Sequence, residues 1–257
     1  MPVPHSRKGL MSDRDPKSIF LSVVFPAYNK ETRIAASIDA TVAYLAGKPF
    51  AAEVIVVDDG SRDRTAEAAG AALAGRVPSR VIRREENRGK GASVKEGVLA
   101  ASGEVILFSD DDLSTPIGEF DKLLAALQAG ADVAIGSRAL PESDIMVRQR
   151  RPRELMGKTF NLLVRLFVLK GYRDTQCGFK AFRRAAATDL FSRLRTDGFG
   201  FDVEILVLCR ELGYRVAEIP VVWRDSRPSR VRFIRGSMGM LRDLLRIRRL
   251  VRRSRNG

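Results

Sequence analysis

Apolar positions in the first half of the chain fall into short runs that alternate with helix-spaced stretches. Residues 19–25 (IFLSVVF) form a short apolar run interrupted only by Ser22, the mark of a buried strand. Residues 31–46 then place Ile34, Ile38, Val42 and Leu45 three or four apart, which predicts an amphipathic helix. The alternation continues with strands at 53–57, 80–83, 104–109 and 132–136 and helices at 65–73, 91–101 and 120–129. Strands joined through helices by short links predict an α/β fold, a mostly parallel Rossmann-like sheet flanked by helices.

The pattern changes after residue 147. A basic cluster at 148–153 (RQRRPR) leads into an amphipathic, helix-like stretch ending at Leu169. Residues 201–212 are helical in spacing and 215–223 strand-like; between 180 and 201 the pattern assigns no element. Residues 236–253 carry Met240, Leu241, Leu244, Leu245, Ile247, Leu250 and Val251 at helical spacing, with arginines filling most of the remainder. Three segments are expected: a tail over 1–17, a catalytic-sized domain over 18–235, and a basic amphipathic helix over 236–257. There is no internal repeat, and no run of about 18 apolar residues of the kind that spans a bilayer.

Composition narrows the partners. The 257 residues carry a formal net charge of +14, which favours a polyanion: nucleic acid, anionic lipid or a phosphorylated substrate. Aromatic content of 7% without aromatic–basic interleaving argues against nucleic acid. Cys177 and Cys209 lack zinc-ligand spacing and suggest a reducing compartment. The basic C-terminal helix suits a peripheral position on an anionic membrane surface, at the cytoplasmic face. A membrane protein partner could also supply an anchor.

Candidate chemistry gathers where the strands end, which is where open parallel sheets bind ligands. Asp110, Asp111 and Asp112 directly follow the fourth strand. Adjacent carboxylates repel one another unless a cation compensates. On an extended backbone, Asp110 and Asp112 could both face one hard divalent ion, Mg²⁺ or Mn²⁺, whose remaining ligands come from phosphate and water. A solvated acidic turn would read the same way. Asp58-Asp59-Gly60-Ser61 closes the second strand, where a carboxylate can take a ribose hydroxyl or a base N–H, or simply make an Asp-Gly turn. Asn87-Arg88-Gly89-Lys90-Gly91 opens a helix; its glycines permit close backbone approach and its cations, Lys90 included, could meet phosphate.

Taken together, Phe25 to Glu31 (FPAYNKE), Val56 to Ser61 (VVDDGS), Asn87 to Gly91 and Ser109 to Thr115 (SDDDLST) resemble glycosyltransferase family 2, with its GT-A fold. Gly136-Ser137-Arg138, Asp174 to Lys180 (DTQCGFK), Phe201 to Leu206 (FDVEIL) and Val222-Trp223 resemble, within it, the polyprenyl- and dolichyl-phosphate sugar synthases, the glucosyltransferase branch above all.

The resemblance implies an inverting transfer of a hexose from a nucleotide-sugar donor to a polyprenyl-phosphate acceptor. UDP-glucose is the favoured donor, with GDP-mannose as the alternative. Pro26, Ala27, Tyr28, Glu31, Asp58 and Asp59 would hold the nucleotide, Asp110 and Asp112 the metal, and Asp111 would face the donor sugar. Arg138 and Arg153 would hold phosphates, which a guanidinium does with two parallel donors. Asp174, Gln176, Asp202 and Glu204 would line the acceptor side. A phosphate acceptor is already anionic and needs little or no general base; an alcohol would need one, such as Asp202 or Glu204. A soluble or polysaccharide acceptor, an inactive scaffold and a nucleic-acid binder are the competing readings.

The chain departs from the family pattern in three ways. Asp111 stands where a small residue is usual, and Lys30 where an acidic one is common. The membrane-spanning helix of the eukaryotic glucosyltransferases is missing, so attachment is expected from elsewhere.

Overall fold

The computed structural model describes residues 18–147, 164, 168–169 and 171–224. Arg153, the basic cluster at 148–153 and the C-terminal helix at 236–257 therefore lie outside the described residues, as does the expected boundary at 235.

The first half alternates as the hydrophobic pattern predicts. Strands β1 (Leu21–Ala27), β2 (Ala52–Asp58), β3 (Ser79–Arg83), β4 (Val105–Ser109) and β5 (Val133–Ser137) are separated by helices α1 (Ile34–Ala46), α2 (Thr65–Leu73), α3 (Lys90–Ala100) and α4 (Phe120–Gln128). Strands β1, β2, β4 and β5 are buried along their whole length, as continuous apolar runs require. Helix α1 begins three residues later than the periodicity suggests. The backbone N–H groups of Lys30 and Glu31 are drawn to the Thr65 hydroxyl (2.7 Å) and the Asp63 carboxylate (3.3 Å), which turns the chain before the helix starts.

The second half contributes β6 (Asp144–Val147), β7 (Phe179–Arg183), α5 (Arg184–Arg193), α6 (Phe201–Leu212), β8 (Val216–Pro220) and β9 (Val222–Arg224). The expected single strand at 215–223 is two. Pro220 ends β8 opposite Ser137, and the chain leaves the main sheet to pair β9 with β6. Proline has no N–H with which to continue a ladder.

The main sheet runs β3-β2-β1-β4-β7-β5-β8. All its pairings are parallel except those of β7, which is antiparallel to both β4 and β5. Two apolar layers cover it. One packs Ile34, Ile38, Leu73, Phe120 and Leu123 against one face, and the other packs Val94, Val98, Leu190, Phe191 and Leu206 against the opposite face. Helix α3 lies so close that a Cβ on Gly97 would meet Val24 at 2.4 Å.

This order positions the site. Strand β1 has β2 on one side and β4 on the other, so the chain reverses its direction of travel across the sheet between β1 and β4. Such a reversal opens a crevice beyond the C-terminal strand ends. Because β7 runs the other way, its first residue, Phe179, lies beside Ser109, the last residue of β4. Residues 174–178 therefore arrive at the same crevice from the opposite direction.

Candidate active site

The loops after β1 and β2 are stitched together. Asn29, at φ 54°, donates its N–H to the Ser61 hydroxyl (2.9 Å) and accepts at its side-chain oxygen from the Arg62 N–H (2.9 Å). Asparagine tolerates this left-handed conformation better than most residues. Glu31 accepts from the Arg64 N–H (3.0 Å). Pro26 and Ala27 are buried in the end of β1, while the Tyr28 ring stands 39% exposed at the rim.

Asp58 and Asp59, adjacent in sequence, have different circumstances. Asp58 is fully buried; one oxygen accepts from the Ser61 N–H (3.1 Å). Its other oxygen has no hydrogen-bond partner, with Arg83 Nε 3.9 Å away. A buried acceptor left open is costly and calls for a donor, from water or from a ligand. Asp59 is fully engaged: it accepts from Arg84 Nη1 (3.0 Å) and from the N–H groups of Arg88 (3.0 Å) and Gly89 (2.8 Å). It shapes the loop at 87–91. The glycines of that loop do permit close approach, and what approaches is protein. A Cβ on Gly89 would meet the Asp197 carbonyl at 2.5 Å, and one on Gly91 would lie within 2.5 Å of the Thr196 carbonyl.

The aspartate triplet turns rather than extends. The Leu113 N–H reaches the Asp110 carbonyl (3.2 Å) with Leu113 at φ 46°, and the Asp112 carboxylate accepts from the Ser114 N–H (2.9 Å). Two ammonium groups offset its charge. Lys90 Nζ lies 2.5 Å from Asp110 Oδ1, and Lys30 Nζ lies 3.1 and 2.8 Å from the two oxygens of Asp111. The two departures from the family pattern, Lys30 and Asp111, thus face each other as an ion pair. Burial still pushes the Asp111 carboxyl up to about 6, against the pull of Lys30, with Asp112 and Asp110 adding to the rise. The Ser37 hydroxyl donates to the Asp111 carbonyl (2.7 Å), tying the triplet to α1.

Asp110 is also set from across the sheet. Its N–H donates to the Gly178 carbonyl (2.9 Å), and a Cβ on Gly178 would overlap its carboxylate. Gly178 was visible in sequence only as part of a motif; the need for a bare α-carbon there appears when β4 and β7 are paired.

At the end of β5, Arg138 is clamped to Asp174 by Nε (2.7 Å), Nη2 (3.0 Å) and its own N–H (3.0 Å), with its guanidinium 5.6 Å from the Trp223 ring centroid. Burial alone would raise the Asp174 carboxyl. The Arg138 charge and hydrogen bonds outweigh it, together with the Gln176 N–H (3.1 Å), and hold Asp174 down to about 2. Deeper still, Lys180 Nζ donates to Asp202 (2.5 Å) and to the Cys177 carbonyl (2.6 Å), with Lys180 and Asp202 both buried. Glu204, also buried, accepts from the N–H groups of Arg195 (3.0 Å) and Thr196 (2.8 Å), one on each oxygen.

The strand ends thus bring together Pro26, Ala27, Tyr28, Glu31 and Asp58 on one side of Asp110–Asp112, and Arg138, Asp174 and Gln176 on the other. Asp59, Asp202 and Glu204 lie behind this surface, engaged with protein partners. Among the described residues there is no cluster of three or more His, Cys, Asp or Glu side chains able to hold a metal, and no helix is long and apolar enough to cross a membrane.

A reversal point of a largely parallel sheet, with aspartates and cations gathered at its strand ends, is the architecture of a GT-A glycosyltransferase. The chain belongs to glycosyl transferase family 2, whose model matches residues 22–191. Its curated relatives include the dolichyl-phosphate β-glucosyltransferases of Drosophila melanogaster and Homo sapiens. The first is 39% identical over 95% of this chain and 79% of the relative, the second 38% over 89% and 74%. Among solved structures, glucosyl-3-phosphoglycerate synthase from Mycobacterium tuberculosis, in complex with Mn²⁺, uridine diphosphate and glucosyl-3-phosphoglycerate, superposes with a TM-score of 0.67 at 26% identity, over 89% of this chain and 80% of that one. Mannosyl-3-phosphoglycerate synthase from Rubrobacter xylanophilus shares the fold, with a TM-score of 0.71 at 21% identity over 91% and 75%.

Proposed function

We propose that this protein transfers glucose from UDP-glucose to a polyprenyl phosphate of the dolichyl class, with inversion at the anomeric carbon. The observation that carries the reading is the identity of 39% to a dolichyl-phosphate β-glucosyltransferase along almost the whole chain, with the motifs concerned gathered on one crevice.

The open Asp58 oxygen is suited to accept a base or ribose donor, with Pro26, Ala27 and Tyr28 flanking it. Asp110 suits a divalent cation of the Mg²⁺ or Mn²⁺ kind, since its carboxylate already accepts a cation, the Lys90 ammonium, and Asp112, two residues on in the same turn, would be the second ligand. Two protein carboxylates suffice where phosphate and water complete the shell. Such an ion, when bound, neutralises charge growing on the departing diphosphate. Arg138 lies across from the aspartates, where its charge can orient an acceptor phosphate. Asp174 holds that guanidinium in one orientation.

The state of the carboxylates favours a phosphate acceptor over an alcohol. Both oxygens of Glu204 hold backbone N–H groups, and Asp202 is ion-paired with Lys180, so neither is set to take a proton from a hydroxyl. An acceptor phosphate needs no such base. A small soluble phosphate is the second reading, prompted by the neighbour solved with glucosyl-3-phosphoglycerate. The anionic membrane surface, the cytoplasmic face and a membrane protein partner belong to the same proposal and rest on the basic segments outside the described residues.

The test is transfer of label from UDP-glucose, with GDP-mannose in parallel, to polyprenyl phosphate or to phosphoglycerate in the presence of Mn²⁺. Label in the organic phase from UDP-glucose, abolished by chelator, is the expected result. Label in the aqueous product alone would transfer the proposal to a soluble acceptor, and label from GDP-mannose alone would replace the donor.

A further inference from the structure

Lys90 lies between two acidic groups. Its ammonium is 2.5 Å from Asp110 Oδ1, and Asp202 also acts on it electrostatically. Asp202 has its own cation, Lys180, at 2.5 Å. Lys90 is therefore the counter-ion of Asp110. It lies over the rings of Phe108 and Phe201, 5.2 and 6.0 Å from their centroids, a setting that suits a cation. Its α-carbon opens α3, where the helix dipole disfavours positive charge. The Asp110 carboxylate, 2.5 Å from the ammonium, offsets that. Lysine's four-carbon stem lets the head move while the backbone stays in place.

We propose that Lys90 is a resident placeholder cation: it occupies Asp110 until a divalent cation arrives, is displaced by it, and then turns to the donor diphosphate. The proposal rests on Asp110 being a metal ligand, as read above. Its consequence is competition. An ammonium and a divalent ion cannot share Asp110 without strong like-charge repulsion, so Lys90 weakens metal binding to the empty protein and makes it depend on nucleotide. The protein would thereby load metal and donor together.

The experiment is Mn²⁺ titration of the full chain, followed by the electron paramagnetic resonance signal of free Mn²⁺, with and without uridine diphosphate. Wild type, Lys90→Met, Lys90→Gln and Lys90→Arg are compared after thermal melting shows each to be folded. Without nucleotide, the Met and Gln variants should bind Mn²⁺ about tenfold more tightly than wild type, a size set by the loss of one nearby like charge. The Arg variant should stay near wild type. With nucleotide, the gain should shrink or reverse, because Lys90 then contributes to the diphosphate. Equal or weaker Mn²⁺ binding by both neutral variants without nucleotide would overturn the placeholder role while leaving the metal reading intact. Absence of Mn²⁺ binding to wild type even with nucleotide would overturn both.

Discussion

The two sides of the crevice solve the problem of buried polarity differently. On the β1–β2 side, the loop after β1 is held by neutral and backbone hydrogen bonds, from Asn29 to Ser61 and Arg62 and from Lys30 to Thr65; Asp59 is paired with Arg84, but one buried carboxylate oxygen of its neighbour Asp58 is left open. On the β5–β7 side, charges neutralise one another within the protein, as Arg138 with Asp174 and Lys180 with Asp202. An open buried acceptor is a debt that a ligand can settle; a buried ion pair is satisfied already and resists change. Substitutions on the first side should therefore cost binding, and those on the second should cost stability.

Removing one partner of the buried pair should give the largest effect. Lys180→Met strands Asp202, and breaking such a pair costs about 3–5 kcal/mol. The melting midpoint should fall by roughly 10 °C in a domain of this size. A variant that melts within a degree or two of wild type would break the comparison. Between the two sides, Asp110→Asn should lower transfer from UDP-glucose by about a hundredfold or more while shifting the melting midpoint little. A large loss of stability would make Asp110 a structural residue.

Acid should act on the second side through Asp174. Its folded value of about 2 lies below that of an unfolded aspartate, so its contribution is full above about pH 4 and is lost as pH falls through 2. That contribution is on the order of 2 kcal/mol. Melting midpoints taken between pH 5 and 2 should fall for wild type and fall less for Asp174→Asn. Equal slopes would remove Arg138–Asp174 from the account.

Gly178→Ala should sharpen the boundary, since its Cβ displaces the Asp110 carboxylate. Activity should drop by about tenfold for a stability cost of about 1 kcal/mol or more, as expected for overpacking. Smallest is Asp58→Asn: nucleotide affinity measured by calorimetry should weaken by about tenfold, with stability unchanged or slightly higher, because a buried carboxylate with an open oxygen has been neutralised. Unchanged affinity would reassign Asp58 to the loop it closes.

Much of this was legible along the chain. The strands β1, β2, β4 and β5 and the helices between them follow from apolar runs and helical spacing, because strands buried on both faces need such runs whatever the topology; β3, at the sheet edge, was legible beside them though none of its residues is buried. The strand-end positions of Asp58, Asp110 to Asp112 and Arg138 follow with them. Strand β7 was hidden because FKAFR places two cations in five residues, and nothing local announces that Lys180 will be buried against Asp202, a residue 22 positions on. Helix α5 was missed beside it.

Roles within a motif were equally beyond local reading. Asp58 and Asp59 are the same residue type, one apart, at the end of one strand. Only the arrival of Arg84, Arg88 and Gly89 makes Asp59 a loop anchor and leaves Asp58 with an open oxygen. Sequence by itself determined the layered α/β architecture and the family, since periodicity and short motifs are local properties that packing must respect. Tertiary structure alone decided which charges are open and which are already paired, because a pair such as Lys30–Asp111 or Arg138–Asp174 joins residues 81 or 36 positions apart, and the strand order, not the spacing, sets their distance.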